Sequence, residues 1–217
     1  MMAVHSVRAI QARLSARGIH PGPIDNKDGP RTRAAMDQFR AKFGMSIQED
    51  FHPSGLHTIV MHWSGGWGTV SDDDLDHYHR ITDRAGVVHP GKFSPLDNVP
   101  PLRRGAYAPH TWQMNGGAIG LCMDGMVHAV ERPFDPGPEP ITRVQLEAFV
   151  RDTAAVAREY RIPVSRFTLL SHAEVEPTLG VKQRQKWDIT WLPGMRRPGD
   201  PVRVGGIIRD MIAAVPE

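Results

Sequence analysis

Residues 58–66 read Thr-Ile-Val-Met-His-Trp-Ser-Gly-Gly, and the fold prediction starts from this stretch. Its first four residues are apolar or β-branched, and the histidine that follows opens into glycines, which is typical of a buried strand that ends in a flexible loop. Two further segments have the same character, residues 119–123 and residues 168–170, and the second of these also ends at a histidine, His172. The sequence therefore predicts three buried strands, two of which carry a histidine where they end.

Amphipathic segments separate and follow these strands. Residues 142–160 carry apolar side chains at helical spacing with charges between them, which predicts a helix packed on a sheet, and residues 202–215 predict a last helix. Residues 92–115 are polar and rich in proline, and they predict a long surface loop of the kind that often carries function. Strands that alternate with helices favour an α/β fold.

The N-terminal part of the chain has a different composition. Residues 1–44 hold eight Lys and Arg against three Asp, so their net charge is +5, whereas the other 173 residues sum to −3. Apolar residues at helical spacing predict two helices, which end near Gly18 and Gly44. We therefore predict a small all-α module over residues 1–46, a linker over residues 47–55 and an α/β domain over residues 56–217.

Composition excludes several classes of protein. The chain has 217 residues, of which 40% are hydrophobic and 23% are charged, so it is neither fibrous nor disordered as a whole. Its single cysteine excludes an internal disulfide framework, and the net charge of +2 is too small to indicate a nucleic acid as partner. Without an apolar segment that could span a membrane or form a leader, we expect a protein made in the cytoplasm, without membrane insertion. The oligomeric state stays open.

Eleven histidines point weakly towards metal or proton chemistry. A catalytic zinc site needs three protein ligands and one open position, and neutral imidazole is the commonest ligand. His62 and His172 have the required placement at strand ends. Asp188 lies in an extended segment, where residues two apart project to the same side, so Lys186 should lie next to such a metal. The alternative, that each histidine is an ordinary core or surface residue, stays open from the pattern alone.

Six segments, in order, resemble the zinc-dependent N-acetylmuramoyl-L-alanine amidases of the type-2 family. This family includes phage lysozyme-like amidases and peptidoglycan recognition proteins, and the resemblance covers residues 56–195 and favours a phage or prophage endolysin. It implies a central mixed β-sheet flanked by helices. The segments are Thr58-Ile59-Val60-Met61-His62, Tyr78-His79-Arg80-Ile81, His110-Thr111, residues 115–120, Ser171-His172-Ala173-Glu174-Val175 and Lys186-Trp187-Asp188.

The N-terminal module separately resembles a small helical peptidoglycan-binding domain. The resemblance covers residues 4–44 and is carried by Ile10-Gln11-Ala12-Arg13-Leu14, Gly22-Pro23-Ile24-Asp25, Gly29-Pro30-Arg31-Thr32 and Phe39. Both resemblances name the same polymer, so peptidoglycan is the expected partner.

The amidase resemblance implies a role for each residue that matches it. His62, His172 and Asp188 would bind one Zn²⁺ ion, Lys186 would stabilise an oxyanion, and Tyr78 would orient the attacking water or polarise the carbonyl. The chain departs from the family pattern at Cys122, which stands where cytoplasmic members carry a catalytic glutamate. We expect an inert, buried thiol there, and Asp124 is a weak candidate to replace the glutamate.

Further residues are expected to contact the substrate or to support the ligands. The substrate-binding candidates are His110, Asn115, Trp63 and Trp112. Exposed indoles on loops commonly stack on a sugar or a peptide, although packing in the hydrophobic core is an equal alternative for the two tryptophans. Glu174 is predicted to orient a histidine ligand.

The implied function is hydrolysis of the amide bond between N-acetylmuramic acid and L-alanine by zinc-activated water, which would lyse the bacterial cell wall after release of the protein. The N-terminal module would raise the local concentration of the substrate. Two alternatives stay open: a peptidoglycan recognition module without catalytic activity, and a zinc peptidase that cuts within the stem peptide.

Overall fold

The computed structural model describes residues 5–216, so Met1 to Val4 of the predicted N-terminal module and Glu217 lie outside it. Seven α-helices, five strands and a 3₁₀ helix at Pro95–Asn98 follow one another along the described residues. In chain order the labelled elements are α1 (Val7–Ala16), α2 (Pro30–Phe43), α3 (Ile47–Asp50), β1 (Thr58–Trp63), α4 (Asp72–His77), β2 (Arg80–Thr82), β3 (Val88–Pro90), β4 (Ala118–Met123), α5 (Arg143–Glu159), β5 (Leu169–Ser171), α6 (His172–Leu179) and α7 (Pro201–Ala213).

The five strands form one mixed sheet in the order β3-β2-β4-β1-β5. Strand β1 lies between β4 and β5 and pairs with both in parallel, β2 pairs with β4 in parallel, and only β2 and β3 are antiparallel. All residues of β1 and β4 are buried, which explains why both strands read as almost continuous apolar runs. The sheet and its flanking helices confirm the predicted fold class.

Alternate side chains of β1 enter two different cores. On one face, Ile59 and Met61 pack with the apolar faces of α5 and α7. On the other face, Val60 packs with Leu170 of β5 and with Val175 of α6. Because side chains alternate along a strand, His62 shares the second face, which is the face covered by α6.

The predicted helices form close to their expected bounds. Thr142 caps the start of α5 by accepting a hydrogen bond from the Gln145 backbone N–H, and Gly44 ends α2 in the left-handed conformation at φ 71°. Val144, one of the apolar residues in the segment that predicts α5, is nevertheless 58% exposed. The loop over residues 92–115 contains the short 3₁₀ helix and otherwise has no regular structure.

The N-terminal helices have a small core of their own. Leu14 of α1 and Phe39 of α2 are both buried in it, together with Ile47 and Phe51. The last two belong to the stretch predicted as a linker, so the first half of that stretch is folded as α3 and completes the core of the module. The exact domain boundaries stay a prediction.

Helix α1 also packs against the sheet. Ala12 lies in the core that surrounds Val60 and Leu170. Its neighbour Arg13 is 1% exposed; its guanidinium donates to the carboxylate of Asp50 and, over 2.8 Å, to the backbone carbonyl of Arg161. The module is therefore docked on the α/β part of the chain and is not held by a free tether alone.

Candidate metal centre

Two histidines and one aspartate converge at one end of the parallel strands. His62 is in β1, opposite Cys122 of β4, and His172 begins α6 directly after β5, which is the other neighbour of β1. Asp188 reaches them from the loop after α6, and its backbone carbonyl accepts a hydrogen bond of 2.6 Å from the Ala173 N–H. One potential ligand atom from each of the three residues lies within 4.8 Å of the others. The structure thus brings together the predicted ligand set.

The geometry shows which atoms of the three residues face one another. Asp188 Oδ2 lies 3.1 Å from His62 Nδ1 and 3.2 Å from His172 Nδ1, and all three side chains are buried. Burial lowers the pKa of His62 to about 4, so its ring is neutral at pH 7. Burial opposes ionisation of Asp188, but the two histidines outweigh it and hold the pKa of this carboxyl below its usual value. Neutral imidazoles and an ionised carboxylate are the forms that bind a metal ion.

A glutamine that was not predicted from the sequence, Gln183, fixes the ring of His172. Gln183 Oε1 lies 2.9 Å from His172 Nε2, and because an amide oxygen can only accept, Nε2 must carry the proton. The lone pair of Nδ1 is then free to face Asp188. Gln183 is itself held, since its amide group donates to the backbone carbonyls of Trp112 and Val181. Such partners commonly set the tautomer and orientation of a metal-binding histidine.

His110 and Thr111 fix the ring of His62, as Gln183 fixes the ring of His172. His62 Nε2 lies 3.3 Å from both His110 Nδ1 and Thr111 Oγ1. The other ring nitrogen of His110 faces the backbone carbonyl of Ala118 at 3.4 Å, so it is the protonated one. Both ring nitrogens of His110 thus have protein partners, and its predicted contact with the substrate stays a prediction.

Gly120 makes room for this arrangement. A Cβ atom at position 120 would lie 2.7 Å from Cδ2 of His110 and would overlap the ring. The glycine in the middle of β4 therefore has a steric reason, because His110 packs directly on the backbone of the strand.

Tyr78 lies next to His62 with its ring centroid 5.2 Å away. It follows α4 in extended conformation, whereas its neighbour His79 is buried and binds the Asn98 side chain and the Gly120 N–H. Burial raises the pKa of Tyr78 well above its usual value, and the Cys122 thiol beside it acts in the same direction. The hydroxyl therefore keeps its proton and can donate a hydrogen bond.

Cys122 occupies the position where the resemblance leads one to expect glutamate. Its side chain is buried, and burial raises the pKa of the thiol well above its usual value. The thiol is buried as predicted and consequently stays protonated; its lack of reactivity stays a prediction. Asp124, the weak candidate to replace the glutamate, binds the Ser64 hydroxyl at 2.7 Å and is not among the residues that line the cavity described next.

A cavity of about 600 Å³, which we call the catalytic pocket, is lined by His172 and Asp188 of the candidate ligand set. Lys186 is exposed and lines it together with Asp188, while its predicted role beside a metal ion stays a prediction. Asn115 also lines it, but its side-chain oxygen accepts a hydrogen bond of 2.8 Å from the Thr111 N–H and so holds the loop beside His62.

The two candidate tryptophans differ in exposure. Trp112 is 56% exposed at the catalytic pocket, with the Arg184 guanidinium 4.7 Å from its ring centroid. Trp63 is only 7% exposed and packs edge-on against Trp187 at 4.8 Å, so most of its surface belongs to the core. Their predicted binding roles stay predictions.

The expectation for Glu174 is wrong. Its carboxylate is fully buried and accepts hydrogen bonds from both terminal nitrogens of Arg209, at 2.9 and 2.8 Å, and from the Ser171 N–H. Within residues 5–216, it forms no hydrogen bond with His62 or His172. Instead it caps the start of α6, the helix whose first residue is His172.

Residues 5–47 match the family model with the description "Putative peptidoglycan binding domain". This match confirms the resemblance predicted for the N-terminal module. The match covers a minor part of the chain, and no curated protein is significantly similar to the sequence.

Among solved structures, the chain is similar to the N-acetylmuramoyl-L-alanine amidase LysC from Clostridium intestinale URNW. The identity is 17% and the TM-score is 0.40, over 67% of this chain and 82% of the other. The endolysine N-acetylmuramoyl-L-alanine amidase LysCS from the same organism gives the same identity and TM-score, over 67% of this chain and 80% of the other. Likenesses of this size do not assign a function, which has to be argued from the site. None of the helices within residues 5–216 has the length and apolar character needed to cross a membrane.

Proposed function

We propose that this protein is a zinc-dependent N-acetylmuramoyl-L-alanine amidase that hydrolyses peptidoglycan and lyses the cell wall. One observation carries the proposal: two histidine Nδ1 atoms lie within 3.2 Å of one aspartate oxygen, and His172, Asp188 and Lys186 line the same pocket. The N-terminal match supports peptidoglycan as the polymer on which the site acts.

The ligand set fits Zn²⁺. Two neutral imidazoles and one carboxylate leave a fourth, open position, as catalytic zinc sites require. Gln183 and His110 hold the two rings so that both Nδ1 atoms face Asp188. A zinc ion bound by His62, His172 and Asp188 would supply a water of lowered pKa and would polarise the amide carbonyl.

Lys186 and Tyr78 contribute the other charges and hydrogen bonds in the proposed reaction. Lys186 lines the same pocket as Asp188, so its ammonium group can stabilise negative charge that develops on the carbonyl oxygen. The protonated Tyr78 hydroxyl can donate to the same oxygen or hold a water molecule in place. Burial raises the pKa of the Cys122 thiol, and the proposal assigns this thiol no role in proton transfer.

The N-terminal module would concentrate the enzyme on the wall polymer. Its net charge of +5 over residues 1–44 favours a polymer that carries carboxylates or phosphates. Because Ala12 packs into the core of the α/β part, the module would present bound polymer in one orientation relative to the pocket.

The decisive experiment identifies the new chain terminus after digestion of purified peptidoglycan by the full-length protein. We expect new N-terminal alanine from the wild type and none from His172→Ala or Asp188→Ala, with zinc content reduced in both variants. Asp210→Ala, an exposed position on α7, is the control that should keep full activity.

The same digestion separates the alternatives. A recognition module without catalytic activity releases no new terminus, and a peptidase within the stem peptide releases a terminus other than alanine. Either result, or full activity in Asp188→Ala, contradicts the proposal.

A further inference from the structure

A groove that none of the roles above uses lies at the ends of α5 and α7. Its volume is about 470 Å³, and it is lined by parts of residues 154–164 and 212–215 and by Arg17 of α1. We call it the α5–α7 groove. It shares no lining residue with the catalytic pocket, so it is a separate feature of the surface.

The α5–α7 groove lies at the other end of the sheet from the candidate metal centre. Its residues 161–164 lead into β5, and the Pro163 carbonyl accepts a hydrogen bond of 2.6 Å from the Thr168 hydroxyl, directly before that strand. His172 follows the carboxyl end of β5, and His62 lies near the carboxyl end of β1, which runs parallel to β5. A ligand in the groove would therefore leave the catalytic pocket open.

The charged groups that line the groove are all cationic. They are Arg17, Arg158 and Arg161, and among residues 5–216 no acidic residue lines it. Arg17 is bound to Asp50, whereas Arg158 and Arg161 are exposed and form no ion pair within the same residues. Arg158 donates to the backbone carbonyls of residues 215 and 216, which carry no net charge. The groove consequently attracts an anionic group.

The rest of the lining is apolar. Every other lining residue is Ala, Ile, Val or Pro. Ile162 and Ile212 are buried, whereas Val164 is 40% exposed and Ala213 is exposed as well. An apolar surface beside two free guanidinium groups is complementary to an amphiphile, which has a hydrocarbon chain and an anionic head.

The backbone of the groove favours a hydrocarbon chain over a peptide strand. Three carbonyl groups of the lining already accept hydrogen bonds from side chains of the protein, those of Arg161, Pro163 and Val215. The N–H groups of Ile162 and Val215 donate to carbonyls of the chain. A peptide strand needs such backbone groups as partners for its own, whereas an acyl chain needs only apolar contact.

We propose that the α5–α7 groove binds an anionic lipid, with an acyl chain against Val164 and its phosphate between Arg158 and Arg161. A protein held in this way would lie on the surface of an anionic bilayer without inserting into it. The candidate metal centre, at the other end of the sheet, would face away from the lipid. That it then faces the wall polymer rests on the proposed function, whereas lipid binding can be measured without catalysis.

The first test is titration calorimetry of the full-length protein with dodecyl phosphate, below the concentration at which this amphiphile forms micelles. We expect saturable one-to-one binding that weakens with salt. Inorganic phosphate, which has the charge but no chain, should bind far more weakly. Equal affinity for inorganic phosphate would overturn the proposal, and so would tighter binding of the acidic peptide (Leu-Glu)₃ than of dodecyl phosphate.

Two exposed residues of the groove can be changed without removing a contact that the fold uses. Arg161→Gln should bind dodecyl phosphate about fivefold more weakly, the size expected for loss of one exposed charge contact. Val164→Glu should weaken binding further, because its carboxylate repels the phosphate and replaces an apolar contact. Arg166→Gln and Val144→Glu are the matched controls, since both residues are exposed and neither lines the groove. Equal weakening in variants and controls would contradict the proposed site.

Sedimentation with lipid vesicles tests the bilayer as the source of the ligand. The wild type should sediment with vesicles of phosphatidylglycerol and stay in solution with vesicles of phosphatidylcholine. The basic N-terminal module could also attract an anionic surface, so the same experiment is done with Arg161→Gln and Val164→Glu. Less sedimentation of both variants supports the groove. Sedimentation at the wild-type level would assign the binding to another basic surface and overturn the proposal.

The outcome is independent of turnover. His172→Ala should abolish hydrolysis of peptidoglycan and leave binding of dodecyl phosphate intact. If the wild type binds dodecyl phosphate but releases no N-terminal alanine, the proposed function fails and the lipid site stands. If it releases alanine but does not bind dodecyl phosphate, the lipid site fails and the proposed function stands.

Discussion

The Nε2 atom of His172 lies 2.9 Å from the side-chain oxygen of Gln183. This pair determines which nitrogen of His172 can bind a metal ion, because the amide oxygen accepts the Nε2 proton and leaves Nδ1 unprotonated. Gln183 lies on the loop between α6 and Asp188, so the same short segment supplies one ligand and orients another. The geometry of the proposed metal site therefore depends on a residue outside the ligand set.

Replacing Gln183 should weaken metal binding and leave the fold intact. In Gln183→Leu, the His172 ring loses the acceptor that fixes its tautomer, and loss of such a partner typically costs about 10- to 100-fold in metal affinity. We expect a loss of that order for Zn²⁺, measured by competition with a chromophoric chelator. Gln38→Leu, at an exposed position of α2, is the matched control and should bind Zn²⁺ like the wild type. Wild-type affinity in Gln183→Leu would show that the contact does not support the site.

A methyl group at position 120 should displace the ring of His110 and so disturb the candidate metal site. Gly120→Ala would place Cβ against the ring of His110, which in turn contacts His62 Nε2. Overpacking of this kind typically destabilises a protein by about 1–3 kcal/mol, and here the displaced ring should also lower activity. Thermal unfolding and alanine release measure the two effects.

The double variant Gly120→Ala/His110→Ala tests the cause of that effect. Removing the ring creates space for the new methyl group, so part of the stability lost in Gly120→Ala should return. Gly206→Ala is the control, since a Cβ there meets nothing within 4 Å. Equal destabilisation by Gly120→Ala and Gly206→Ala would contradict the steric explanation.

The elements and the ligands could be predicted from the sequence because each has a local signal. An apolar run followed by His62 or His172 marks a strand end, and the parallel pairing of β1 with β5 then brings these ends together. Asp188 was proposed from a segment expected to be extended and from a family resemblance, and Lys186 was placed by its spacing from Asp188.

The partners of the ligands had no such signal. Gln183 and Thr111 are ordinary polar residues on loops, and only the tertiary structure brings them within hydrogen-bond distance of His172 and His62. For Glu174 the prediction of a contact with a histidine ligand was wrong, because in the first turn of α6, two residues after His172, its carboxylate binds Arg209. Neighbours in a helix do not face the same direction.

Stability should fall with acidification because of two histidines where the module meets the sheet. His5 stacks on Phe51 at 3.8 Å and contacts the edge of His57. Burial, reinforced by the charge of Arg13, lowers the pKa of His5 to about 4, and burial lowers the pKa of His57 to about 3. In the unfolded chain the pKa of a histidine is about 6.5. Below this pH the unfolded chain binds protons that the folded chain does not bind, so the free energy of unfolding falls as the pH drops towards 4.

The variant His57→Gln isolates this contribution. A single histidine of this kind accounts for at most about 2 kcal/mol of stability lost between pH 7 and pH 5. Urea unfolding at both pH values should therefore show a smaller loss in His57→Gln than in the wild type, and His20→Gln, at an exposed position, should behave like the wild type. An identical loss in all three proteins would exclude His57 as a source of the acid sensitivity.

A charge at position 12 should separate the N-terminal module from the sheet. Ala12 is 4% exposed and packs with Val60 and Leu170, so the carboxylate in Ala12→Glu would be buried without a partner. The cost should reach about 3 kcal/mol, the range seen for uncompensated buried charges. We expect a lower unfolding temperature and, because the small core around Leu14 and Phe39 is separate from that of the sheet, a second unfolding transition.

Ala34→Glu gives the matched control, since Ala34 is exposed on α2 and accepts the same side chain without burial. It should unfold in one transition near the wild-type temperature, because docking through Ala12 and Arg13 couples the two parts of the chain. If the module were joined only through a flexible connection, Ala12→Glu and Ala34→Glu would have equal stability. In that case wall binding by the module could not orient the polymer towards the catalytic pocket. The module would then raise activity only by raising the local concentration of the polymer, and an unrelated binding module at the same terminus would have the same effect.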